Sequence, residues 1–338
     1  MASRASKNSP IDPAGPEQPE ALPKNARIKE RPRRIPKGFF GDDTLLETLP
    51  GSIKNWRYDP TQDKIRQLEL EIATLKQQFS EESNEAGREQ LSKLATDITA
   101  KQKLNNLLQA VSPVAHDLLL SGSSLAEQFS AKAPCKAFVI SIDIRKSTTL
   151  MFKAREPHLF ASFITSLCNR FYDIILQNYG VFDKFTGDGI LAFFPEFFSG
   201  VDAAFYALDA AAKCHSTFYE HYSANRHCFV SVLKTVGLGI GIDYGDVSLV
   251  NLWGGLTVVG SPVVYACRMG GAPPGCTMLN QPAFEIFDGR IKGVCEISEM
   301  DIDIKGEGVT LGYSVKRNTK SYTPQSPPWL TGKAENIT

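Results

Sequence analysis

The apolar run Ala137-Phe138-Val139-Ile140-Ser141-Ile142 stops on an acid, Asp143. Such a run reads as a buried strand. An acid at its end either caps the helix that follows or does chemistry there. A second acid, Asp188, sits in Lys184-Phe185-Thr186-Gly187-Asp188-Gly189, between two strand-like runs. Taken alone, Gly-Asp-Gly is an ordinary tight turn. Taken together, two carboxylates at adjacent strand ends form a donor set for Mg²⁺ against a nucleoside triphosphate.

The rest of the chain narrows the classes of function. Its 338 residues allow one large domain, or a domain with an extension. Lys plus Arg and Asp plus Glu number 37 each, so no global charge draws the chain to nucleic acid or a membrane. The basic stretch Lys24 to Lys37 reads as a solvated tail. Cys135, Cys168, Cys214, Cys228, Cys267, Cys276 and Cys295 are scattered and odd in number, without a CxxC pair. That pattern argues against a disulfide framework and a zinc site and fits a reducing, cytoplasmic setting. Neither a signal peptide nor an apolar run of membrane-spanning length is expected.

The chain divides by composition. Residues 1–55 are rich in proline and charge and are expected to form a disordered tail, with local docking at Phe39-Phe40 and Trp56. Residues 56–130 form a helical segment. Ile65, Leu68, Ile72, Leu75 and Phe79 follow a heptad-like 3,4 spacing, and a second helix carries Leu91, Leu94, Ile98, Leu104 and Leu107. These helices either dimerise the chain or pack on the next domain. Residues 131–318 form that domain, and 319–338 a C-terminal tail. Within it, strands are expected over 136–144, 181–185, 189–194, 236–243, 247–252, 276–279, 295–303 and 310–316. Tyr244-Gly245-Asp246 is read as a hairpin turn. Helices fall at about 156–179, 200–222, 260–270 and 281–287. Hairpins mixed with helices predict an α+β fold with a mixed sheet flanked by helices.

The loop Asp143-Ile144-Arg145-Lys146-Ser147-Thr148-Thr149-Leu150 joins strand to helix with small hydroxylated residues, which suits backbone binding of phosphate. Here the chain resembles class III nucleotidyl cyclases. These carry an apolar strand ending in Asp-Ile, and a Lys four residues before the Asp of a Gly-Asp hairpin. Val236 to Val247 resembles their GIGIHxGxV segment. Leu256 to Met269 resembles their TVxGdxVNxAxRM helix start, and Ile304-Lys305-Gly306-Glu307-Gly308 their late KGxG motif.

The resemblance implies a ferredoxin-like palm and a residue-by-residue site. Asp143 and Asp188, with the Ile144 carbonyl, would hold two Mg²⁺ or Mn²⁺ ions per site. Lys184 and Thr257 would select the base, with Ser147 and Thr148 in the substrate loop. Arg268 would steady charge on the phosphate, where a planar guanidinium can hold two oxygens. Lys305 would bind the triphosphate. A homodimer with composite sites is implied, with metal residues from one subunit and the remainder from the other. Each residue also has a plain structural reading: a solvated strand lysine, a helix-end arginine, a turn lysine.

One position departs from the family. Four residues before Arg268, where an Asn orients the ribose, the chain has Val264, which offers no hydrogen bond. Either the protein binds nucleotide without turning it over, or another group orients the sugar. Lys146 replaces a customary Gly. With the missing Asn, the stretch Asp143 to Met151 resembles the pyrimidine cyclases of bacterial anti-phage (Pycsar) systems. That resemblance implies UTP turned to cyclic UMP, which acts on a separate effector protein. The Lys184–Thr257 combination also occurs in adenylate cyclases, so ATP stays open. The Glu–Cys pairing for GTP is absent.

Overall fold

The computed structural model describes residues 66–74, 85–131, 133–252, 255–304 and 308–331. They belong to one unit, Thr48–Thr338; the other unit, Met1–Glu47, lies outside the described residues. The expected tail over 1–55, the basic stretch, Leu75, Phe79 and Lys305 also lie outside them.

Strand β1 (Cys135–Arg145) organises the domain. Its side chains alternate between faces. Phe138, Ile140, Ile142 and Ile144 enter one core cluster, while Ala137 and Val139 enter a second on the opposite face. A strand covered on both sides needs a continuous apolar run, which explains its sequence. Full burial of each large side chain contributes about 1.5–3 kcal/mol.

The other strands are β2 (Val181–Phe185), β3 (Ile190–Pro195), β4 (Gly237–Leu252), β5 (Gly255–Val259), β6 (Cys276–Leu279), β7 (Cys295–Ile304) and β8 (Gly308–Arg317). The sheet runs β2-β3-β1-β4-β6-β8-β7, with β5 paired to β4 off this path. Among the described residues only β4 and β6 pair in parallel. The expected mixed sheet flanked by helices is present.

One strand boundary needs correction. Tyr244-Gly245-Asp246 is not a turn, because β4 runs unbroken from Gly237 to Leu252. The eleven-residue β1 pairs with it through Ala137↔Gly245, Lys136↔Asp246 and Cys135↔Val247, so backbone bonds hold the segment extended. The hairpin forms later, where β5 pairs with Ser248 to Leu252.

Residues 66–74 are helical. Helix α1 (Glu85–Ala110) packs Leu104, Leu107 and Leu108 into the cluster that holds Leu256 and Val258 of β5. Short helices α2 (His116–Leu120) and α3 (Ser124–Ser130) lead into β1. Helix α4 (Ser147–Phe152) follows β1. Helix α5 (Pro157–Gln177) is long and apolar enough by composition to cross a membrane, although the sequence shows no uninterrupted apolar run of that length. In this fold its Phe163, Leu167, Phe171 and Ile175 are buried in the core beside β1.

Helices α6 (Glu196–Ser199) and α7 (Ala203–Ala224) follow β3, α8 (Ser261–Met269) precedes β6, and α9 (Gln281–Arg290) precedes β7. The segment after β8 lies against the domain. Trp329 stacks on Phe198 and donates to its carbonyl at 2.7 Å, and Tyr322 donates to Asp202 at 2.7 Å. All seven cysteines are free thiols.

Candidate active site

Asp143 lies on the β1 face shared by Ala137, Val139 and Ser141, two residues from the strand's end. It does not cap α4, because Lys146 occupies that cap position. The carboxylate is half-buried and accepts from Arg145 Nη1 at 2.6 Å. Burial pushes its pKa up, as does the nearby charge of Asp188, while Arg145 pulls it down.

Asp188 arrives from the opposite direction in sequence. Strand β3 pairs with β1, Ile190 opposite Ile142, so the β2–β3 turn lands at the end of β1. Thr186 N–H donates to the Gly189 carbonyl at 3.0 Å and closes that turn. The two carboxylates therefore act on each other. Among the described residues no group of three or more His, Cys, Asp or Glu converges on a metal-sized site. Two hard oxygen donors of like charge at one strand end still suit a divalent cation, which relieves their repulsion.

The loop beyond holds Ser147, half-buried, and Thr148, exposed, in the first turn of α4. Lys146 adopts φ 64°, ψ 29°, the left-handed region where glycine is at ease. A glycine at this position would take that backbone without strain. Neither neighbouring cation points freely into the loop. Arg145 is held by Asp143, and Lys146 donates to Thr235 at 2.7 Å. Ile144 keeps its side chain in the core and pairs with Leu238 of β4.

A second cluster brings the two base-selecting candidates together. Lys184 Nζ donates to Thr257 Oγ1 at 2.9 Å, across 73 residues of chain. Lys184 is half-exposed and Thr257 buried. Neither makes a hydrogen bond to Asp143 or Asp188 among the described residues. Arg268 sits in the last turn of α8, its guanidinium over the Tyr265 ring at 5.5 Å. Helix α8 lies directly on β4: a Cβ at Gly241 would come within 2.0 Å of the Ala266 carbonyl oxygen. Val264, one turn before Arg268, is 47% exposed with no polar atom to offer.

Sequence reasoning overlooked Asp183. Its side chain is only 1% exposed, and its carboxylate lies 3.4 Å from Lys184 Nζ. The available signal was an acid set between aromatics in Phe182-Asp183-Lys184-Phe185, where strand alternation leaves no obvious place for it.

No protein-family model matches the chain. No curated protein sequence matches it either. Solved structures do. The chain is similar to the adenylyl cyclase CyaB from P. aeruginosa, with a TM-score of 0.50 and 21% identity over 56% of this chain and 98% of that one. It is also similar to the guanylyl cyclase Cya2, with a TM-score of 0.49 and 20% identity over 57% and 98% of the respective chains. The guanylate cyclase domain of RhGC from Catenaria anguillulae, solved with GTP, aligns with a TM-score of 0.45 and 17% identity over 56% and 100%. The likeness to CyaB is one of fold: the domain has the class III cyclase fold.

Proposed function

We propose that the protein is a homodimeric nucleotidyl cyclase that converts a pyrimidine nucleoside triphosphate, UTP foremost, into a 3′,5′-cyclic nucleotide and pyrophosphate. One observation carries this reading: β3 pairs with β1, Ile190 opposite Ile142, which brings Asp188 to the end of β1 beside Asp143 in a cyclase fold. Asp143, Asp188 and the Ile144 carbonyl would hold two Mg²⁺ or Mn²⁺ ions. Bound there, the ions would acidify the ribose 3′-hydroxyl and neutralise the triphosphate.

The chain's own groups would do the rest. The Arg268 guanidinium would steady the phosphate, and the α4 loop with Ser147 and Thr148 would face it. Lys305 would bind the triphosphate. Lys184 and Thr257 would meet the base. In this reading the site is composite: one copy of the homodimer would supply the metal carboxylates, and the other Lys184, Thr257, Arg268 and Lys305. The missing amide at Val264, and Lys146 in place of glycine, favour the pyrimidine subtype with its defence role and separate effector. In that setting the protein acts in the cytoplasm, apart from membrane and nucleic acid.

Lys184 donating beside Thr257 equally suits adenine, so ATP is the second reading. A nucleotide-binding sensor without turnover is the third, supported by the apolar surface at Val264. Incubation with each of the four NTPs and Mn²⁺, with products resolved by mass, separates them. Cyclic UMP is expected. Product from ATP alone would remove the pyrimidine reading, and no cyclic product at all would remove the enzyme.

A further inference from the structure

Strand β2 carries an irregularity at its centre. Phe182 pairs with Ala192 and Lys184 with Leu191, which leaves Asp183 as an extra residue between them. Such a bulge breaks the two-residue alternation and re-aims a side chain. In a regular strand Asp183 and Lys184 would point to opposite faces. Here both reach the same neighbour on β5, Thr257.

The result is a buried carboxylate in an unusual condition. Both Asp183 oxygens are buried, and neither has a hydrogen bond of good geometry among the described residues. The Thr257 hydroxyl, the Lys184 ammonium and the Val258 N–H surround it without meeting that geometry, and burial pushes its pKa up against their pull. A buried charge without full partners is costly and persists where something else depends on it.

We infer that Asp183 is a base-specificity residue of this site, a positioning group that holds the Lys184 ammonium and Thr257 hydroxyl in one donor geometry. This rests on the nucleotidyl cyclase reading of the site. Thr257 Oγ1 already accepts from Lys184, and the carboxylate is shut away from solvent. The half-exposed ammonium therefore presents a remaining N–H outward. A pocket of that kind takes a base edge bearing an acceptor, which a carbonyl oxygen supplies. Without the carboxylate beneath it, a flexible lysine loses its counter-charge and its fixed direction.

Asp183→Asn keeps the shape and removes the charge. Steady-state kinetics with all four NTPs should show KM for the preferred nucleotide rising about tenfold with kcat little changed. The preference over the poorest nucleotide should shrink about tenfold. Inhibition by inorganic tripolyphosphate, which has no base, should stay within about twofold of wild type. Unchanged base ranking and KM in an active variant would overturn the inference and leave the cyclase reading standing. An equal loss for all NTPs and tripolyphosphate would also overturn it, because that marks a structural role.

If the wild type binds NTPs without cyclising them, the cyclase reading falls. The same ratios, measured by calorimetric binding, then judge Asp183 alone. Absence of any NTP binding removes both. Circular dichroism checks the fold, and Asp183→Ser is the second variant. If neither variant folds, the acid is structural and the inference fails.

Discussion

Gly189 meets Ile142 backbone to backbone: a Cβ on Gly189 would lie 1.9 Å from the Ile142 carbonyl oxygen. That approach seats the Asp188 turn on the end of β1 beside Asp143. Any side chain at 189 must push the two strands apart. Gly189→Ala is expected to lower stability by about 2–3 kcal/mol, read by urea unfolding. It should also weaken Mn²⁺ binding, measured by titration calorimetry, because it separates the carboxylates. An alanine variant with wild-type stability would show that the turn moves freely.

Asp143 and Asp188 are both only half-buried. Their removal should therefore spare the fold while disabling the site. Asp143→Ala and Asp188→Ala are each expected to cut turnover by roughly a thousandfold or more. Unfolding free energies should shift by no more than about 1 kcal/mol. Retained activity in either variant would break the assignment of that residue as a metal ligand.

Lys146 pays a backbone penalty at φ 64°. Lys146→Gly removes that strain but also the surface bond to Thr235. The strain is the larger effect, at about 1 kcal/mol for a non-glycine residue in this region. A net gain of about 0.5–1 kcal/mol in unfolding free energy is expected. A loss would mean that the Thr235 contact outweighs the strain.

Asp243 gives a pH test away from the carboxylate pair. It is 2% exposed, accepts from the Tyr244 N–H at 2.8 Å and from Asn280 at 3.2 Å, and burial raises its pKa to about 6. The folded state thus holds this proton more tightly than the unfolded chain. The stability it contributes is present below about pH 4 and lost as pH rises through about 6. Asp243→Asn should therefore stabilise the protein by about 1–2 kcal/mol at pH 8, with the gain fading towards pH 4. Equal gains at both pH values in denaturant unfolding would contradict the burial argument.

The local elements were legible because they follow from periodicity. Strand β1 read correctly, since burial on both faces demands an unbroken apolar run. The hairpin around Asp188 read correctly, since Gly-Asp-Gly permits little else. Tyr244-Gly245-Asp246 misled because Tyr-Gly-Asp is turn composition. The long ladder with β1 overrides that local preference. Asp183 shows in the sequence only as an acid among aromatics, because a bulge changes facing without changing residue type.

The sequence by itself determined the sheet-forming runs and the placing of acids at strand ends, both properties of short windows. Only the tertiary structure decided that Asp143 and Asp188 interact, that Lys184 bonds to Thr257, and that Asp183 turns inward beneath them. Those relations depend on strand register and on the close backbone approach at Gly189. Register is settled by packing over the whole sheet, where a slip of one residue would turn every side chain to the other face.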